Sequence, residues 1–182
     1  MEIYIILGII VLLILWVIGV YNSLVRLRNM KDDQWAQIDV QLKRRADLIP
    51  NLVETVKGYA AHEKDTLEAV IQARNTFVTA TTPEEEMKAA GEMTQALSKL
   101  FALSEAYPDL KANANFMALQ GDLKDTENKI SAARQFFNDT VLTYNNKVDM
   151  FPSNIVASIF GFKRAPFFEI EANDREVPTV KF

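Results

Sequence analysis

The first stretch of the chain leaves the fewest options. Residues 3–21 carry no charge and almost no polar group, and most are Ile, Leu, Val, Trp or Gly. At 1.5 Å rise per residue these nineteen residues make a helical rod of roughly 28 Å, about the hydrocarbon thickness of a bilayer. A helix in a soluble core is seldom apolar on every face. The stretch predicts a transmembrane helix, and the rest of the chain a polar domain tethered to a membrane.

A cleaved signal peptide would show a basic leader, a shorter apolar run and a small-residue cleavage site. Only Met1 and Glu2 precede this run, no A-x-A pattern follows it, and no cysteine is present to accept a lipid. The expectation is an uncleaved single-pass anchor. Trp16 and Tyr21 suit the headgroup level, and Arg26, Arg28 and Lys31 follow as a basic collar. Lys43, Arg44 and Arg45 come a little later, and nothing basic precedes the run except the amino terminus. By the positive-inside rule this predicts a cytoplasmic domain, although such a collar also binds anionic headgroups on either leaflet.

The 182 residues divide into an anchor with its collar (1–25), a helical bundle (26–150) and an aromatic-rich tail (151–182). The formal net charge of −4 makes no whole-domain electrostatic case for nucleic acid. Zero cysteines exclude a disulfide framework and thiolate metal sites, and the single histidine, His62, excludes His-rich zinc sites.

After Tyr21-Asn22-Ser23 the pattern is helical. Alternating steps of three and four from Trp35 give Ile38, Leu42, Arg45, Ile49, Leu52, Val56, Tyr59, Glu63, Thr66, Val70, Ala73 and Phe77. Ten of these thirteen positions are apolar, a heptad pattern that supports left-handed helix packing. Pro50 removes a backbone donor and predicts a kink near residues 46–49. Gly58 opens Gly58-Tyr59-Ala60-Ala61-His62, the best place for a break. The heptad phase favours one long kinked helix, which would project roughly 80 Å from the bilayer. The lengths favour a break: segments 25–60, 62–80, 83–106 and 109–148, alternating up and down, nearly cancel and return the last helix to the membrane.

Residues 79–82 form a threonine-rich linker, and Thr82-Pro83-Glu84-Glu85 reads as a capping box with Pro at the first helical position. The acidic run 84–86 suits a helix N-terminus. Met87, Ala90, Met93, Leu97, Leu100, Phe101 and Ser104 then share a face, and Tyr107-Pro108-Asp109 starts the last long helix. From Phe116 the heptad steps give Gln120, Leu123, Glu127, Ile130, Arg134, Phe137, Val141, Tyr144 and Val148, and Pro152 ends the helix.

The tail changes character. Five of the eleven Phe residues lie in 151–168; residues 153–160 suit a short helix stopped by Gly161, and 168–171 alternate like an edge strand. Phe160, Phe162, Phe167 and Phe168 either cap the open end of the bundle or form a patch that docks a partner or re-enters the interface, helped by Lys163 and Arg164.

Catalytic signatures are absent: no G-x-S-x-G, no phosphate-binding glycine pattern, no cysteine nucleophile, and a Tyr three residues before the only His where a di-metal bundle needs Glu. No cofactor is expected, and His62 reads as a solvated helix residue. Four charges interrupt the apolar seams: Arg45, Glu63, Glu127 and Arg134. Either they sit at a seam edge and reach solvent, or they pair across helices or subunits as a layer that sets register.

The residues that carry a resemblance run through nearly the whole chain. They are Tyr21-Asn22-Ser23-Leu24-Val25, then Gln41-Leu42-Lys43-Arg44-Arg45-Ala46-Asp47-Leu48-Ile49-Pro50-Asn51-Leu52-Val53, then Tyr107-Pro108-Asp109-Leu110-Lys111-Ala112-Asn113 and Asn115-Phe116. Thr126-Glu127-Asn128-Lys129-Ile130, Ala133-Arg134, Tyr144-Asn145 and Phe160-Gly161-Phe162 complete them. In these stretches the chain resembles the LemA family of bacterial membrane proteins. The resemblance implies a short amino terminus, one span in the bacterial inner (cytoplasmic) membrane and an all-α up-and-down bundle. It brings no reaction and no catalytic residues. Some similar proteins carry a lipid-accepting Cys before the Tyr-Asn pair, which would place their domain outside the cytoplasm; Gly19 or Val20 stands at the corresponding position here.

The expected fold is therefore all-α, an N-terminal transmembrane helix continuing into an up-and-down bundle of three to four long antiparallel helices. The expected function is a non-enzymatic, membrane-anchored scaffold or adaptor whose partners are membrane lipid, further copies of itself and other membrane proteins. The alternative is a lipid-binding or membrane-remodelling module that uses the basic collar and the aromatic tail.

Overall fold

A computed structural model describes residues 1–168. Within them lie α1 (Glu2–Lys57), α2 (Lys64–Thr79), α3 (Pro83–Ser104), α4 (Pro108–Lys111), α5 (Ala114–Asp149) and α6 (Ser153–Ile159), with no strand among the described residues. The all-α architecture and the long apolar first helix are as expected. The alternation expected at 168–171 lies almost wholly outside the described residues.

The chain forms two compact units. One comprises residues 1–37 and 133–167; the other comprises residues 38–132 with Phe168. In the second unit, Ile38, Leu42, Ile49, Leu52 and Val56 of α1 are buried, as the heptad steps predict. Pro50 sits inside α1 without breaking it. Its missing N–H frees the carbonyl four residues back, Ala46, and Arg74 of α2 donates its Nε to that oxygen at 3.0 Å.

The chain breaks after Lys57, so the length argument and not the unbroken heptad phase describes it. At the turn the pattern is off by one residue, with Tyr59 exposed and Ala60 buried; α2 then buries the expected Val70, Ala73 and Phe77, and Leu67 in place of Thr66. α2 packs along α3, whose Ala89, Ala90, Met93, Ala96, Leu97 and Leu100 are buried. α3 starts where its capping box places it: Glu85 N–H donates to Thr82 Oγ1 at 3.2 Å, and Thr82 N–H donates to Glu85 Oε2 at 3.3 Å.

The single helix expected over 109–148 is interrupted. α4 is one turn, and α5 begins afresh at Ala114 because Asn113 caps it, its Oδ1 accepting from Phe116 N–H at 3.0 Å. The Asn113 amide also donates to Tyr59 Oη at 2.9 Å, and Tyr107 Oη donates to Glu63 Oε1 at 2.9 Å. The two turns of this unit are thus stitched to each other. Phe116, fully buried, stacks edge-on against Phe101 with ring centroids 6.2 Å apart.

The first unit has its own core. Val20 and Leu24 of α1, Tyr144 of α5, and Val156 and Ala157 of α6 are buried together, with Val17, Leu27, Val148, Phe162 and Ala165 packed around them. Trp35 and Phe137 add a tilted ring pair at 5.7 Å.

Candidate membrane-interface site

The local sequence folds the tail back onto α1. After α5 stops at Asp149, Pro152 disfavours helical geometry at Phe151, and α6 begins at Ser153. Gly161, at φ +73°, takes the left-handed position that ends α6. Its N–H donates to Ser158 O at 3.3 Å and the Phe162 N–H donates to Ala157 O at 2.9 Å, the paired bonds of a Schellman motif. That reversal carries Phe162 back onto the core with Ala157.

The result is an aromatic clasp around Tyr21, the last residue of the apolar run. The Phe160 ring centroid is 4.8 Å from Tyr21, and that of Phe162 is 5.7 Å away, edge-on. Arg28, one of the collar cations, lies over the Phe162 ring with its guanidinium carbon 5.5 Å from the centroid. The strand of chain beyond is tied down by Asn145. Its buried side-chain amide donates to Ala165 O at 2.9 Å and accepts from Ala165 N–H at 2.8 Å, satisfying both backbone groups of one residue. Arg164 pairs with Asp149 at 3.1 Å. Burial pushes the Tyr144 phenol above its ordinary value, with Arg28 pulling it down and Asp32 pushing it up.

The expected interface residues therefore part company. Tyr21 and Arg28 belong to the clasp. Trp16 and Arg26 are exposed, and Lys31 pairs with Asp32 at 2.8 Å. Of the tail residues, Phe160 and Phe162 join Tyr21, Phe167 is half-buried and Phe168 is buried. Asn145 was not a candidate in the sequence; its place beside Tyr144 on a buried seam was the available signal.

In the other unit the seam charges resolve individually. Arg45 is 4% exposed. Its Nη1 donates to Thr94 Oγ1 at 3.0 Å, while the Thr94 hydroxyl donates onward to Ala90 O. The same nitrogen lies 2.8 Å from Glu127 Oε2, but that oxygen receives no aligned hydrogen bond, so the contact is one of charge. Burial pulls the Arg45 guanidinium below its ordinary value, and Glu127 partly offsets it. Glu63 is taken by Tyr107, whose phenol the bond raises. Arg134 is half-buried and also engaged. His62 is exposed in the turn and not on a helix. Among the described residues, no three His, Cys, Asp or Glu side chains converge as a metal would require.

Comparison with known proteins fits this architecture. The model of the LemA family matches residues 34–182. The magnetosome protein MamQ of Magnetospirillum gryphiswaldense is 26% identical over 186 residues, covering 87% of this chain and 68% of its own length. The magnetosome protein MamQ 2 of Paramagnetospirillum magneticum is 26% identical over 175 residues, covering 82% of this chain and 64% of its own. The protein LemA of Metamycoplasma hominis is 27% identical over 162 residues, with 87% and 73% covered. The chain spans about two thirds of the length of the magnetosome relatives.

Proposed function

The chain belongs to the LemA family, and on that premise we propose that it is a membrane-anchored, non-enzymatic helical scaffold that self-associates or recruits other membrane proteins. The observation that carries the reading is the apolar segment of α1. Every residue of 3–16 is exposed within the chain, so this surface is left for lipid or for another apolar helix. Arg45 finds its countercharge and a hydroxyl acceptor inside the chain, and the surface offered for pairing between copies is this segment with exposed apolar side chains such as Phe136. Cross-linking and native mass spectrometry of the full-length chain in mild detergent test the proposal. A discrete oligomer or a co-purifying membrane protein is expected; a strictly monomeric, partnerless protein sinks it.

The second reading, a lipid-binding or membrane-remodelling module, draws on the contact between Arg28 and Phe162, which joins the basic collar to the aromatic tail. Under it, the same spectra carry phosphatidylglycerol adducts that Arg26→Glu with Arg28→Glu removes. Spectra without such adducts count against it.

A further inference from the structure

α6 is amphipathic in a way that the chain alone does not use. Its inner face, Val156 and Ala157, is buried against Val20 and Leu24. Its outer face recurs every fourth residue: Phe151 just ahead of the helix, then Ile155 and Ile159, exposed by 79%, 50% and 72%. The outer half of the Phe160 ring extends the same apolar surface.

The depth of this surface is set by what lies beneath it. Val17 and Val20, which pack with the inner face, are inside the apolar run, and the Phe160 ring touches Tyr21, where the run ends. Val17 precedes Tyr21 by four residues, roughly 6 Å along a helix, and amphipathic segments lying in a membrane surface bury their apolar face by about 5–10 Å. Cations stand just beyond: Arg28 over Phe162, and the exposed Lys163 that follows it. Apolar side chains at the end of the run and cations next to them match the order of acyl chain and phosphate in one leaflet.

We propose that α6 with its flanking residues is a second membrane contact, in which Phe151, Ile155, Ile159 and Phe160 enter the acyl–headgroup boundary of the leaflet where the apolar run ends. The occupant is the bilayer, because the patch is carried on Val17 and Val20 at the end of the apolar run, whose other side chains are uncovered, and the phase that covers the run meets α6 at that level. The clasp on Tyr21 and the Asn145 bonds to Ala165 hold α6 at that depth. The proposal rests on the reading of α1 as a span, and its test separates the two.

The sequence contains no cysteine, so single labels are clean. Leu12→Cys, Ile159→Cys and Val40→Cys of the full-length chain are each labelled with a nitrobenzoxadiazole and reconstituted into phosphatidylcholine–phosphatidylglycerol vesicles. Half of the vesicles carry nitroxides both high and deep on the acyl chains. The expected result is loss of emission in nitroxide vesicles at positions 12 and 159, a blue-shifted spectrum at 159, and neither effect at 40. Quenching at 12 with a water-like, unquenched probe at 159 overturns the proposal and leaves the span intact. A blue-shifted but unquenched probe at 159 also overturns it, by showing that protein covers the patch. Absence of quenching at 12 overturns the span, and this proposal with it.

Discussion

The two ends of α1 share one backbone ladder, yet they are covered in different ways. Every residue of 3–16 is exposed within the chain. Between Ile38 and Val56, a single stripe is closed while Val40, on the other face, stays 60% exposed. The ends differ in apolar content, since residues 3–21 carry no charge and residues 38–56 carry six, and that difference sets how the apolar side chains are distributed around the helix. An apolar stripe wide enough for one neighbour buries itself against that neighbour, whereas a helix apolar on all sides needs an apolar surrounding.

The comparison breaks first at matched leucines. Leu42→Ala opens a cavity in a fully closed site and is expected to cost about 2–5 kcal/mol in urea unfolding of the detergent-solubilised chain, while Leu12→Ala leaves the midpoint unchanged. Equal losses at both would mean that the apolar run packs inside the protein. The reverse pair uses charge. Leu12→Arg places a cation near the middle of the run at a cost of about 2.5–3.5 kcal/mol of insertion, read as a larger carbonate-extractable fraction. Val40→Arg, on the exposed face, should stay within about 0.5 kcal/mol and leave extraction alone.

A smaller effect is expected at the charge on the stripe. Glu127→Gln removes the countercharge of a buried Arg45 and should cost about 1–3 kcal/mol, near the lower end because Glu127 is partly exposed. In a cycle with Arg45→Met, a coupling of about 0.5–3 kcal/mol supports a polar layer that sets register. Additive losses remove that role. The smallest is the cap: Thr82→Ala is expected to cost about 1 kcal/mol in the same assay. Its partner adds a pH dependence. The Thr81 N–H and hydroxyl and the Thr82 N–H hold the Glu85 carboxyl below its ordinary value. A depressed folded value stabilises fully above the unfolded carboxyl range and fades as pH falls through the folded value. Thermal midpoints of the native chain and Glu85→Gln should therefore converge on acidification; a constant gap would show that the carboxylate charge is not what matters.

Legibility followed the range of the interactions. The capping box and the glycine that ends α6 were readable because each is decided within a few residues. The break after Lys57 was ambiguous because the heptad steps resume at Val70, Ala73 and Phe77 beyond it, and only the burial of Ala60 in place of Tyr59 marks the turn. Asn113 was visible as a residue but not as a cap, since the apolar steps on either side of it do not mark the interruption. Arg74 on the Ala46 carbonyl could have been sought, because Pro50 always frees an acceptor four residues back; which donor answers it lies in another helix.

The sequence by itself determined what is local: where the capping box starts α3, where Gly161 ends α6, which stripe of each long helix is apolar, and that residues 3–21 are apolar all round. Tertiary structure alone decided the partners. Arg45 meets Glu127 and Thr94, Glu63 turns to Tyr107, and the Asn145 amide holds Ala165 twenty residues away. Such choices depend on which side chains packing brings within hydrogen-bond reach, and spacing along the chain carries no record of them.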